Sequence, residues 1–205
     1  MRLAMLLARE VQQNLLPRQD PQVDGLDIAG TSIYCDETGG DYYDYIRYET
    51  GTSEGSPLAV VVGDVSGHGV PSALLMATAR ALLRQRLSLP GDLAEAFSDV
   101  NSQLAQDVGA SGQFMTLMGL AVNPVSGTVV WVRAGHDPAI FYDPETRSFE
   151  ALEGEGIPLG VEESWVYTEN KKENHNSSEI DGSGCKGLSS PISWSILDKC
   201  FCLFS

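Results

Sequence analysis

The chain has 205 residues, 42% of them hydrophobic, and a formal net charge of −15. That length and apolar fraction suffice for one domain with a sizeable core. The charge repels nucleic-acid phosphates and anionic membranes, which argues against binding to either. It also repels a phosphorylated substrate unless a bound metal offsets it locally.

Residues 1–16 carry Leu3, Leu6, Leu7, Val11 and Leu15 on one helical stripe, and Pro17 stops the helix. The simplest reading is a helix that packs its stripe on the core. The alternative is a linker helix that carries a signal from an upstream sensor domain or pairs in a homodimer. Arg9 and Glu10 interrupt the apolar run, so it does not read as a signal peptide. No stretch approaches the ~20 apolar residues that span a bilayer. Cys35 stands alone, while Cys185, Cys200 and Cys202 crowd the end without zinc-type spacing. This cysteine usage fits a reducing cytoplasm.

Strands are expected over residues 26–34 and 41–49, with a turn at 36–40. A Gly/Ser-rich loop at 51–57 makes 41–48 and 58–64 a hairpin. Pro71 sits at a favoured early position of a helix that runs through Arg84. A second helix runs from a cap at Asp92 to about Gln106, with Leu93, Ala96, Phe97, Val100 and Leu104 on its apolar face. Strands return at 114–122, 128–134, 139–142 and 147–152, with turn chemistry at 123–127 and 143–146. This order predicts an α+β fold, with two antiparallel β-sheets packed as a sandwich and flanked by α-helices, rather than a βαβ series. Composition changes near residue 169. We therefore divide the chain into an entry helix (1–17), a domain (18–168) and an atypical tail (169–205) that we expect to be disordered and to lack ladder partners.

Two acidic clusters carry the chemistry. Gly39-Gly40-Asp41-Tyr42-Tyr43-Asp44 precedes the first hairpin strand, and Gly63-Asp64-Val65-Ser66-Gly67-His68-Gly69 ends the second. The apolar run Leu58-Ala59-Val60-Val61-Val62 delivers Asp64 to a sheet edge. Two carboxylates brought together repel unless a cation sits between them, and hard oxygen ligands suit Mg²⁺ or Mn²⁺. Asp44 reads as a supporting or solvated group. His68 reads as a turn-packing residue rather than a catalytic acid, and His136 as a structural histidine bonding backbone at a strand end. The glutamates of 150–155 and 162–163 read as solvated surface.

Six segments in this order, Gln13-Asn14-Leu15-Leu16-Pro17, both acidic clusters (the second with Pro71-Ser72-Ala73), Phe114-Met115-Thr116, Ala134-Gly135-His136-Asp137-Pro138 and Gly156-Ile157-Pro158-Leu159-Gly160, resemble the metal-dependent protein phosphatases. That is the PPM or protein phosphatase 2C superfamily, and the resemblance is to its bacterial SpoIIE/RsbU-like branch. It covers most of residues 10–160. It implies two Mn²⁺ or Mg²⁺ ions bound by Asp41, Asp64 and the Val65 backbone carbonyl, with Asp64 bridging both. It also implies catalysis by Asp41 and Asp64 through metal-activated water on a phosphoserine or phosphothreonine. The implied substrate is a phosphorylated regulatory protein, such as an anti-sigma factor antagonist, in the cytoplasm.

Two later aspartates of that family have no counterpart here. Asp181-Gly182 is the nearest imitation. The fold is thus expected to be incomplete at the C-terminus, as an interrupted or frame-shifted coding sequence would make it. The alternative function is a truncated, weak or inactive phosphatase-like protein that acts only through binding, or that has no function.

Overall fold

A computed structural model describes residues 2–24, 26–32, 38–47, 57–123, 126–143, 146–173, 192–197 and 200–204. Cys35, Cys185, Asp181 and the Gly/Ser-rich loop at 51–56 lie outside the described residues. In chain order the helices are α1 (Arg2–Leu15), α2 (Val70–Leu87) and α3 (Leu93–Val108). The strands are β1 (Leu26–Gly30), β2 (Tyr42–Arg47), β3 (Leu58–Val65), β4 (Met115–Val122), β5 (Thr128–Ala134), β6 (Ala139–Asp143), β7 (Ser148–Leu152), β8 (Asn170–Glu173), β9 (Ile192–Leu197) and β10 (Cys200–Phe204). One sheet has the order β2-β3-β4-β5-β8 and the other β1-β9-β10-β6-β7.

The first sheet is antiparallel throughout, as expected, and β2–β3 is the expected hairpin. The second departs from expectation, because β1 runs parallel to β9 and β10 parallel to β6. These pairings bring in chain beyond residue 169, where the sequence shows no period-2 pattern. Part of the segment set aside as a tail thus has ladder partners.

The first sheet is the spine of the core. β3 is buried at nearly every position, which a strand shows when both its faces are covered. Helices α2 and α3 pack on this sheet, and Leu26, Ile28, Phe141 and Leu152 of the other sheet join the same hydrophobic cluster. The α3 face expected from periodicity (Leu93, Ala96, Phe97, Val100 and Leu104) is buried in full. Asp92 caps α3 by accepting from the Glu95 amide at 2.6 Å. Glu169 adds a second cap from far along the chain, its carboxylate accepting from the Leu93 amide at 2.7 Å.

The helix α1 corrects the core-packing reading. Its stripe faces outward, with Leu3 70% and Val11 63% exposed and Leu6 and Leu7 exposed beside them. Among the residues of this helix whose burial is described, the polar Gln12 is the buried one.

Two predictions follow from this packing. A Cβ at Gly119 would lie 2.6 Å from the Phe97 ring, so Gly119→Ala should cost about 1–3 kcal/mol by overpacking. Adding Phe97→Leu should recover part of that loss, and additive losses in denaturant titrations would contradict the contact. Burial of the Glu169 carboxylate against the end of α3, aided by the charge of Asp92, raises its pKa. The folded chain therefore holds that proton to higher pH than the unfolded chain. Its contribution to stability is present at acid pH and falls as pH rises through the shifted pKa. Glu169→Gln should gain in melting temperature relative to the parent as pH rises above the ordinary glutamate pKa of ~4.3; a pH-independent difference would contradict the shift.

Candidate metal centre

The site is built by the register of two strands. The β2–β3 ladder pairs Tyr42 with Gly63 at its end. One step further, the same antiparallel register sets Asp41 opposite Asp64, and the next sets Gly40 opposite Val65. The Val65 amide donates to the Gly40 carbonyl at 3.2 Å, which carries the pairing past both aspartates. Residues directly opposite in an antiparallel pair have Cβ atoms ~4.5–5.5 Å apart on the same face. On its other side Asp64 faces Thr116 of β4. Two carboxylates and a hydroxyl thus form a row across one edge of the sheet.

This approach depends on glycine. A Cβ at Gly40 would meet the Val65 carbonyl oxygen at 2.5 Å, so no other residue lets the strands close here. After Val65 the chain turns through Gly67 and Gly69, both at positive φ (88° and 76°), and enters α2 at Val70. The Ser66 amide donates to the Phe114 carbonyl at 2.9 Å, and the Ser72 hydroxyl of α2 donates to the Ser66 carbonyl at 3.1 Å. The turn is therefore pinned to β4 and to the helix that follows it.

Behind this row lie groups whose sequence signals were weaker. The Thr116 hydroxyl bonds the Asp64 carbonyl at 3.3 Å and the His136 Nδ1 at 2.8 Å. His136 is buried, and Arg133 Nε donates to its carbonyl. Its ring thus bonds the Thr116 side chain. His68 is exposed at its turn and is not packed as expected.

Of the two readings of Asp44, supporting or solvated, burial removes the solvated one, since Asp44 is 0% exposed. Arg84 of α2 grips it with two nitrogens, Nε at 2.6 Å and Nη2 at 2.5 Å. Arg80 lies 3.6 Å away, the Tyr42 hydroxyl donates at 3.1 Å, and the Tyr45 amide donates at 2.9 Å. Burial first, and then the Asp44 charge, push the Tyr42 phenol well above its ordinary pKa. The hydrogen bond to Asp44 raises that of Arg84. The spacing of Arg80 and Arg84, one turn apart on an apolar helix, was the available signal for this cluster.

Gln12 of α1 was missed altogether. Its side chain donates to the Gly39 carbonyl at 2.6 Å and accepts from the Gly39 amide at 3.2 Å. The entry helix thus holds the peptide two residues before Asp41.

The donor set at the edge consists of two carboxylates and, beside them, the Val65 carbonyl. This is the hard-oxygen kind that suits Mg²⁺ or Mn²⁺, and it fits one such ion. Among the described residues no group of three or more His, Cys, Asp or Glu side chains converges. The donors of a second ion are thus not found there.

The sequence profile of Stage II sporulation protein E (SpoIIE) matches residues 54–179. The chain belongs to the SpoIIE family. Its SpoIIE-type sequence is 27% identical over 161 residues to the phosphoserine phosphatase RsbU of Bacillus subtilis, covering 78% of this chain and 46% of that protein. It is 24% identical over 165 residues to the phosphoserine phosphatase RsbP of the same organism, covering 78% of this chain and 39% of that protein. The chain thus spans less than half the length of these relatives. Its fold resembles the SiaA-PP2C domain of Pseudomonas aeruginosa, with a TM-score of 0.64 at 19% identity, covering 83% of this chain and 65% of that one. It also resembles the PP2C phosphatase domain of Bacillus subtilis SpoIIE, with a TM-score of 0.52 at 16% identity, covering 66% of this chain and 38% of that one. The fold is that of the PPM (protein phosphatase 2C) superfamily.

The grip of Gln12 yields a prediction. Gln12→Ala leaves the amide and the carbonyl of Gly39 without their side-chain partner, which should cost about 1–3 kcal/mol. An unchanged denaturation midpoint would show that water replaces the glutamine.

Proposed function

We propose that this chain is a metal-dependent serine/threonine protein phosphatase of bacterial signalling. The observation that carries the reading is the opposition of Asp41 and Asp64 at the end of the β2–β3 ladder. In a chain of net charge −15, two facing carboxylates form a cation site. A phosphorylated protein approaches such a surface only where bound cations offset the charge. Asp41, Asp64 and the Val65 carbonyl would hold Mn²⁺ or Mg²⁺. Such ions lower the pKa of water and neutralise charge on phosphoryl oxygens. Asp41 and Asp64 would fix where that chemistry happens, and the Gly40–Val65 bond ties the two segments that carry them. No side chain of this edge is assigned as a covalent nucleophile.

The substrate class is a phosphoserine or phosphothreonine regulatory protein, of which an anti-sigma factor antagonist is one type. The catalytic unit runs over residues 18–168. The outward stripe of α1 is the surface for an upstream sensor domain or for a second copy of this chain. Among the described residues no helix is long and apolar enough to cross a membrane. The cysteine usage supports a place in the reducing cytoplasm.

A second reading is a weak or inactive phosphatase-like binding protein. It draws on the same absence of a third converging ligand among the described residues. Calorimetric Mn²⁺ titration and hydrolysis of a phosphoserine protein separate the two readings. Asp64→Ala should weaken Mn²⁺ binding by more than about tenfold, the loss expected even from removing a group that supports a ligand. Unchanged Mn²⁺ affinity would overturn the site. Binding without Mn²⁺-dependent turnover would favour the second reading.

A further inference from the structure

The buried Asp44 cluster is not used by the chemistry above, yet it joins the two segments that carry the acidic pair. Asp44 lies on β2, three residues after Asp41, which immediately precedes that strand. Arg84 and Arg80 lie on α2, whose N-terminus follows the turn that leaves Asp64 and Val65. A closed circuit results: Asp41, along β2 to Asp44, across to Arg84, back along α2 to Gly69, through the turn to Val65, and across to Gly40 by the amide–carbonyl bond at 3.2 Å.

We propose that Asp44, Arg84 and Arg80 form an ionic latch that sets the separation of Asp41 and Asp64, and hence the affinity of the edge for a divalent cation. The latch rests on the proposed metal-site reading, and its residues act by positioning, without touching metal or substrate. Three observations support it. A packing contact alone does not need a carboxylate at 0% exposure, because such a group must be fully compensated to be tolerated. The compensation is directional: a bidentate guanidinium fixes both distance and plane, which a single-point contact does not. The partners come from α2 rather than from a neighbouring strand, so the pair ties strand to helix across the turn that presents Asp64. The sheet could hold β2 without it, since the β2–β3 ladder is continuous from Tyr42 to Arg47. What the ladder does not fix is the tilt of α2, and with it the path of the Ser66–Gly69 turn beside the Val65 carbonyl.

The test uses the full chain and two readouts: calorimetric titration with Mn²⁺, and hydrogen exchange of the Val65 amide without metal. Arg84→Gln should lower Mn²⁺ affinity on the order of 10–100-fold, as loss of a group that orients a ligand does. It should also speed Val65 exchange. Arg84→Lys keeps the charge but not the fork, and should fall between Arg84→Gln and the parent. Phe97→Leu in the α3 core serves as a control of general loosening. Matched for loss of melting temperature, it should leave both readouts near the parent. If Arg84→Gln does not fold, Arg84→Lys and Arg80→Gln carry the comparison. Arg84→Gln behaving like the Phe97→Leu control in both readouts would overturn the latch. A parent chain that binds no Mn²⁺ while the latch variants still speed Val65 exchange would sink the metal reading and leave the geometric role standing.

Discussion

Two like charges are held face to face at the end of a ladder, and the rest of the structure arranges itself around that constraint. Cross-strand like charges destabilise a sheet, so their opposition needs support. The support begins with the backbone. Gly40 lets the β2 entry lie against Val65 where any Cβ would collide, and the Val65 amide closes the pairing beyond the aspartates. Strand β3, buried along its length, gives that pairing a rigid base. The backbone pairing that sets the two aspartates opposite each other thus rests on a buried strand. On the proposed reading, a bound cation would offset their repulsion and stabilise the folded chain.

Three polar groups around the edge act on backbone. Gln12 holds the Gly39 peptide, Thr116 holds the Asp64 carbonyl, and Ser66 joins the turn to Phe114. Each comes from a different element: the entry helix, the neighbouring strand and the turn itself. Asp44 and Arg84 then connect strand to helix. The edge is over-determined by several modest bonds, so a single loss should perturb it gradually. The exception is the buried ion pair, where removing one partner leaves an uncompensated charge.

Much of this was legible in the sequence. The two acidic motifs, the hairpin between them, the cap at Asp92 and the α3 face follow from turn chemistry and period, and they are local signals. The ordered set of six segments pointed to the superfamily. What was not legible depends on distant contacts. The α1 stripe has the pattern of a core helix, but only tertiary packing decides which face turns inward, and here Gln12 finds the Gly39 peptide. Asp44 looks like any strand-turn aspartate until Arg80 and Arg84, some forty residues on, are seen to face it. The pairings of β8, β9 and β10 come from a segment with no periodic pattern, so nothing local announced the parallel partners of β1 and β6. Gly119 reads as a weak spot in a strand, and only the Phe97 ring against it explains the absence of a side chain.

The central proposal is that Asp41 and Asp64 oppose each other at a cation site. Thermal unfolding of the parent chain and of Asp41→Asn, each with and without Mn²⁺, tests it most directly. If the pair is strained, Asp41→Asn melts higher than the parent without metal, because the repulsion is gone. Mn²⁺ then raises the melting temperature of the parent but not of the variant. A variant that melts lower than the parent without metal, and that gains as much from Mn²⁺, would contradict the account.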